Sequence, residues 1–205
     1  MKSKILILIV VVLVSGLAFL YSPFPKQKIP QGFAPVDVLY NGSTNSNIKV
    51  FEPKNNHIRD KEEGPVVFAT PSLKLASCYL FSWDDSWVHQ SISWKDGNIA
   101  DYQVIMVIAD KKRFDKEDDG GAVYILPSQG FHFEAHKGLG IYEWTHNGPV
   151  IPILKIDFSS AFAAMQKFGV KIYFVTQDQF QHYLSLPGDT QEQFLLKLRN
   201  EITND

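Results

Sequence analysis

Asn41-Gly42-Ser43 closes a short apolar run, Val38-Leu39-Tyr40, and sets an amide, a bare stretch of backbone and a hydroxyl side by side. Each suits polar recognition. Glycine lets a ligand's polar group approach the main chain closely, and an asparagine amide both donates and accepts hydrogen bonds, as a sugar hydroxyl requires. Further along stand Phe68, Tyr79 and Glu143, two aromatic rings and a carboxylate. When a glycosidic bond to a cationic leaving group breaks, positive charge gathers on the sugar. A carboxylate beside the sugar 2'-hydroxyl then stabilises the transition state more than the ground state. Glu143 could serve there. Asn41 cannot titrate near neutral pH as an imidazole does, so it would bind without moving a proton. The dipeptide Asn41-Gly42 also has a purely structural reading as a turn, and Asn41-Gly42-Ser43 matches a glycosylation sequon by chance of its shortness.

Those residues need elements to carry them. Val38 to Tyr40 and Val66-Val67-Phe68 read as short strands of the buried type, and Thr70-Pro71-Ser72 opens a helix whose apolar positions Leu73, Leu75 and Ala76 lead to Tyr79. Ser86 to Trp94 alternates in character, Lys95-Asp96-Gly97-Asn98 is a turn, and Tyr102 to Ala109 returns, which predicts an antiparallel pair. Lys111 to Gly121 reads as an exposed loop of mixed charge. Ala122 to Pro127 is a further strand, Phe131 to Glu134 a short edge segment, and Val150 to Phe158 a long strand with Pro152 near its start. Ser159 caps a helix through Phe168 that ends at Gly169, Val170 to Thr176 adds a strand, and Gln177 to Leu184 and Thr190 to Thr203 read as helices. The sum is an α+β fold, a mainly antiparallel, curved sheet with flanking helices, preceded by one N-terminal apolar helix.

The order of these motifs resembles the ADP-ribosyltransferase fold, in the branch of the poly(ADP-ribose) polymerases and the RNA 2'-phosphotransferases. In that branch the first strand ends His-Gly-Ser or His-Gly-Thr, an aromatic-rich strand and a tyrosine follow, and a late segment supplies a glutamate. The chain is also similar to uncharacterised bacterial domains that combine Tyr-His-Gly-Ser/Thr, Phe-Ala-Thr-Pro and Glu-Trp-x-Ser. Here those segments read Tyr40-Asn41-Gly42-Ser43, Phe68-Ala69-Thr70-Pro71 and Glu143-Trp144-Thr145-His146, over roughly residues 36 to 176. The resemblance implies NAD as ligand and an ADP-ribose transfer to an acceptor it does not name. It implies that Gly42 holds the nicotinamide amide, that Ser43 supports the ribose, that Asn41 stands in for the histidine on the adenosine ribose, that Tyr79 stacks on the ring with Val67 where another aromatic often sits, that Phe68 is among the cofactor-binding residues, and that Glu143 is the catalytic carboxylate. Asparagine in place of histidine is the departure, and it leaves open a non-catalytic nucleotide- or protein-binding module on the same fold.

Outside these motifs, Lys2 and Lys4 precede an apolar stretch from Ile5 to Tyr21. At roughly 17 residues it is at the lower limit for crossing a bilayer core of about 30 Å, so residues 1–21 read as a membrane anchor or a signal peptide. The apolar run continues past the small residues Gly16 and Ala18, which favours the uncleaved anchor with the domain outside the cytoplasm; cleavage would secrete it. Residues 22–35, with Pro23, Pro25, Pro30 and Pro35, form a tether, and residues 36–205 are long enough for one globular domain. A net charge of -2 with interspersed signs gives no basic face for nucleic acid. Cys78 is the only cysteine, so no intramolecular disulfide forms. His132 and His136 lie four apart, but that spacing converges on one metal only in a helix. His132 sits between two phenylalanines in a strand-like context, so no metal site is read there.

Overall fold

Two long alternating segments, the second apolar on both faces, build the largest element of the protein, an antiparallel hairpin in register from Val88↔Ile108 to Trp94↔Tyr102. The computed structural model describes residues 37–55, 64–95, 98–134 and 137–202. The expected anchor, the tether, the Asp96-Gly97 turn and His136 lie outside the described residues. Contacts divide the chain into Met1–Gln31 and Gly32–Asp205, and the described residues all belong to the second unit.

Along the chain come β1 (Val38–Ser43), β2 (Val67–Ala69), α1 (Leu73–Ser77), β3 (Val88–Lys95), β4 (Asn98–Ile108), α2 (Lys111–Glu117) and β5 (Gly121–Pro127). A 3-10 turn (Gly140–Tyr142), β6 (Trp144–His146), β7 (Leu154–Phe158), α3 (Ala161–Lys167), β8 (Lys171–Phe174), α4 (Gln177–Ser185) and α5 (Gly188–Ile202) complete it. The strands form ladders in the orders β1-β5-β7, β2-β6 and β3-β4-β8. All pairings are antiparallel except β4 with β8, which is parallel. The fold is therefore a mixed α+β arrangement with mainly antiparallel sheets. Both three-stranded sheets bury two faces, as alternation allows. Val123 of β5 joins Val88, Val104, Met106 and Ile108 in the main core, with Leu75 of α1 and Met165 of α3. Ala122, Tyr124 and Leu126 on the other face of β5 pack with Leu39 and Trp144. Across the hairpin, Ile105 and Val107 pack against Phe180, Tyr183 and Leu195 of α4 and α5.

Several expectations are corrected. The strands at 38–40 and 66–68 belong to different ladders, joined by a single bridge in which Tyr40 and Thr70 exchange N–H···O=C bonds of 2.7 and 2.8 Å. Val150 to Phe158 is not one strand. Val150 pairs with Phe51 in an isolated bridge, Pro152 has no N–H to continue a ladder, and β7 begins only at Leu154. Ser160, not Ser159, caps α3, its hydroxyl accepting from Ala163 N at 3.0 Å.

The charged run at 111–121 is a helix for its first two turns. Asp110 accepts from Arg113 N at 2.8 Å and so satisfies an orphan donor of the first turn. Phe114, the single apolar side chain of α2, is 1% exposed and meets Phe81, Phe162 and Phe174 at centroid distances of 4.9, 6.2 and 5.4 Å. One buried anchor is enough to hold a polar segment to the core.

Candidate functional site

A cavity of about 250 Å³ lies where β1, the end of β2, α1 and the turn before β6 meet. Its walls include Asn41, Gly42, Phe68, Tyr79 and Glu143, five of the six residues singled out in the sequence. Tyr40, Thr70, Leu75, Ala76, Leu139 and Tyr142 complete much of the rest. Ser43 is not among them. It faces a neighbouring cavity of about 520 Å³, with Thr44, Asn45, Glu52 and Lys54, and its hydroxyl accepts from Asn45 N at 3.1 Å. Asn41 and Phe68 line both cavities and so form the partition between them.

The geometry of β1 explains this division. The strand continues through Ser43, so side chains alternate: Tyr40 and Gly42 share one face, Asn41 and Ser43 the other. Asn41 Nδ2 donates to the Phe68 carbonyl at 2.8 Å, a bond that braces β1 against β2 beside the Tyr40–Thr70 bridge. The Phe68 oxygen can only accept, which fixes the amide orientation and leaves the Asn41 carbonyl oxygen and a second N–H for other partners.

Gly42 is also needed for packing. A Cβ there would stand 1.8 Å from the Ala76 carbonyl oxygen and 3.3 Å from Tyr79 Cβ, so the missing side chain makes room for the C-terminal end of α1. A ligand can reach Gly42 only from the strand edge. Because Tyr40 spends its N–H and C=O on Thr70, alternation turns those of Gly42 toward the same edge, past the point where β2 gives way to α1. Gly42→Ala is expected to push α1 off β1 and destabilise the protein by about 1–3 kcal/mol, the usual cost of overpacking. Urea unfolding of the variant checks this.

Tyr79 follows α1, and its ring stacks on Trp83 with centroids 5.7 Å apart and planes 28° from parallel. Its hydroxyl donates to Gln90 Oε1 at 3.1 Å. The residue as a whole is 42% exposed, yet enough atoms crowd the hydroxyl that burial first, then its neighbours Cys78, Glu143 and Asp85, raises the phenol above its ordinary value. It therefore stays a neutral donor. Cys78, fully buried, has its thiol pushed up to about 12 by burial and is inert packing.

Glu143 leaves the 3-10 turn in extended backbone, and its Oε2 accepts from Leu139 N at 2.9 Å. That bond curls the segment 139–143 into a wall of the cavity. Tyr142 beside it, 2% exposed with its ring 4.8 Å from Tyr102, was not singled out in the sequence, nor was Tyr40. Position next to Glu143 and period-two alternation with Gly42 were the signals available. His132 Nε2 and Thr145 Oγ1 lie 3.3 Å apart, and among the described residues no three His, Cys, Asp or Glu side chains gather to hold a metal ion.

Compared with protein-family profiles, with curated proteins and with solved structures, the chain shows no match. The functional reading therefore rests on the cavity itself. It is walled largely by apolar and aromatic groups, and its polar lining residues include Asn41, whose amide is bonded to the Phe68 carbonyl, and Glu143, whose carboxylate is bonded to Leu139 N. Such a lining is the usual one for a small-molecule site. At about 250 Å³ it falls just below the range of roughly 300–1,000 Å³ for whole drug-sized ligands.

Proposed function

We propose that this domain is ADP-ribosyltransferase-like, that it binds NAD with the nicotinamide riboside in the 250 Å³ cavity, and that it transfers ADP-ribose to an acceptor. The observation that carries this reading is the convergence of Asn41, Gly42, Phe68, Tyr79 and Glu143, from four separate segments, on one cavity. In it, Gly42 offers its backbone edge to the carboxamide, Tyr79 borders the ring, and the Glu143 carboxylate accepts from the ribose 2'-hydroxyl. As the C1'–N bond breaks, its electron pair leaves with nicotinamide, and Glu143 stabilises the charge left on the sugar until the acceptor adds at C1'. The larger cavity beyond Asn41 and Phe68 takes the remainder of the dinucleotide. The domain is held at a membrane by residues 5–21 and faces away from the cytoplasm; among the described residues no helix is long and apolar enough to cross a membrane.

A second reading keeps the fold and drops the chemistry. It is favoured by one observation: the Asn41 amide braces Phe68, and Ser43 turns to the other cavity, so two of the residues expected to grip ribose are placed otherwise. Calorimetry on the full chain in detergent separates the cases. NAD is expected to bind the wild type, and Asn41→His to bind it equally or better, since an imidazole can make the ribose hydrogen bond. Absence of NAD binding to both proteins, with the fold intact by circular dichroism, would leave a binding module for some other partner.

A further inference from the structure

The β7 strand is the outer member of its ladder, and Leu154, Lys155 and Asp157 are exposed on it, with Ile151 and Ile153 exposed just before it. An uncovered edge with aliphatic side chains is a template for another strand. Strand alternation fixes which of its backbone groups are offered. Since Tyr40 bonds Thr70, it is Leu39, Asn41 and Ser43 that bond β5 at Leu126, Tyr124 and Ala122. Gly121, Val123 and Ile125 are left to bond β7 at Phe158, Ile156 and Leu154. Lys155 and Asp157 accordingly present their N–H and C=O groups outward.

We propose that β7 is a homodimer interface, pairing antiparallel with β7 of a second copy about a two-fold axis at Ile156. In that register the outward-bonding Lys155 of each copy lies opposite the outward-bonding Asp157 of the other, so backbone bonds and charges match at once. Leu154, 59% exposed, meets Phe158, and Ile156 meets itself. Sliding by one residue in total register sets an outward group against an inward one and loses the ladder. Sliding by two sets Lys155 against Lys155 or Asp157 against Asp157, and like charges directly opposite are unfavourable. Within one copy Lys155 Nζ donates to Asp157 Oδ1 at 2.8 Å and to the Ser46 carbonyl at 2.7 Å, so the two charges stand on one face of the strand, and dimerisation extends this pair into an alternating row of four. The interface is isologous, as a closed dimer requires, and it joins two three-stranded sheets into one of six.

The test is disulfide trapping in the full chain. The only native cysteine is buried with its thiol pushed up to about 12, so an introduced cysteine is the one that oxidises. Ile156→Cys on the axis sits in a non-hydrogen-bonded pair, where Cα atoms lie about 4.5 Å apart, within the roughly 4.4–6.8 Å a disulfide spans. Mild oxidation in detergent micelles is expected to convert it to a covalent dimer, at least about tenfold faster than Ser159→Cys, which the register keeps far from its own copy. Adding Asp157→Lys should slow trapping by about tenfold, and Lys155→Asp with Asp157→Lys together should restore it. Absence of a dimer at position 156, or equal trapping at 159 as association through residues 1–31 alone would give, overturns the proposal. So does trapping indifferent to the charge changes. Loss of trapping in lipid vesicles, with position 156 then shielded from a water-soluble thiol reagent, would assign the edge to lipid and overturn it as well.

Discussion

Glu143→Gln is expected to lower ADP-ribose transfer by at least about a hundredfold while NAD binding persists, as loss of one well-placed charge at a developing cation commonly does. The substitution is close to isosteric. Glutamine can still accept the hydrogen bond that Leu139 N now gives to Glu143 Oε2 at 2.9 Å, so the segment 139–143 keeps its course along the cavity. What disappears is the negative charge, and a hundredfold loss corresponds to about 2.7 kcal/mol of transition-state stabilisation. In the proposed complex the Tyr79 ring and the Gly42 edge remain to hold the ground state. Single-turnover cleavage of NAD, beside calorimetry on the same preparations, measures both quantities. Equal rates in the two proteins would remove Glu143 from the chemistry. A wild type that binds NAD and never cleaves it would support the binding module instead.

The cavity was largely legible because its residues belong to short motifs with local causes: a strand ending in Asn-Gly, a proline-led helix start, a tyrosine beyond it and a glutamate before a buried tryptophan. Ser43, which the resemblance set beside the ribose, lines the neighbouring cavity instead. The backbone of residues 41–43 continues β1, and pairing with Tyr124, Val123 and Ala122 imposes alternation on them. The same alternation explains why Tyr40 reaches the cavity beside Gly42. A packing reason for Gly42 was not legible, since only the folded chain shows that the Ala76 carbonyl fills the space its side chain would take. The hairpin of β3 and β4 was readable from its period. The parallel pairing of β8 with β4 was not, because strand direction depends on where α3 returns the chain, a tertiary matter.

Phe114→Ala is expected to cost about 3–5 kcal/mol, a large share of the roughly 5–15 kcal/mol that holds a typical domain together. Composition offers little warning of this, for Phe114 is surrounded by lysines, arginine and acids that belong by type to a solvated loop. In the fold those charges point outward along α2. Lys111 pairs with Asp115 at 2.8 Å on the surface, where such a pair contributes little. Arg113 lies over the Trp87 ring at 4.4 Å. The stabilisation therefore resides in the one ring, packed edge-on against Phe81, Phe162 and Phe174 from three different parts of the chain. Removing it leaves a cavity that the surrounding aromatic rings cannot collapse to fill, and α2, short and poor in other apolar contacts, loses its attachment. Urea unfolding should show a lower midpoint with a similar slope. Because Phe114 lines neither cavity, NAD affinity measured well below that midpoint should be unchanged. Stability would then fall with binding kept, whereas Glu143→Gln lowers the rate with binding kept. A midpoint unmoved by Phe114→Ala would mean that α2 is held by its charges after all.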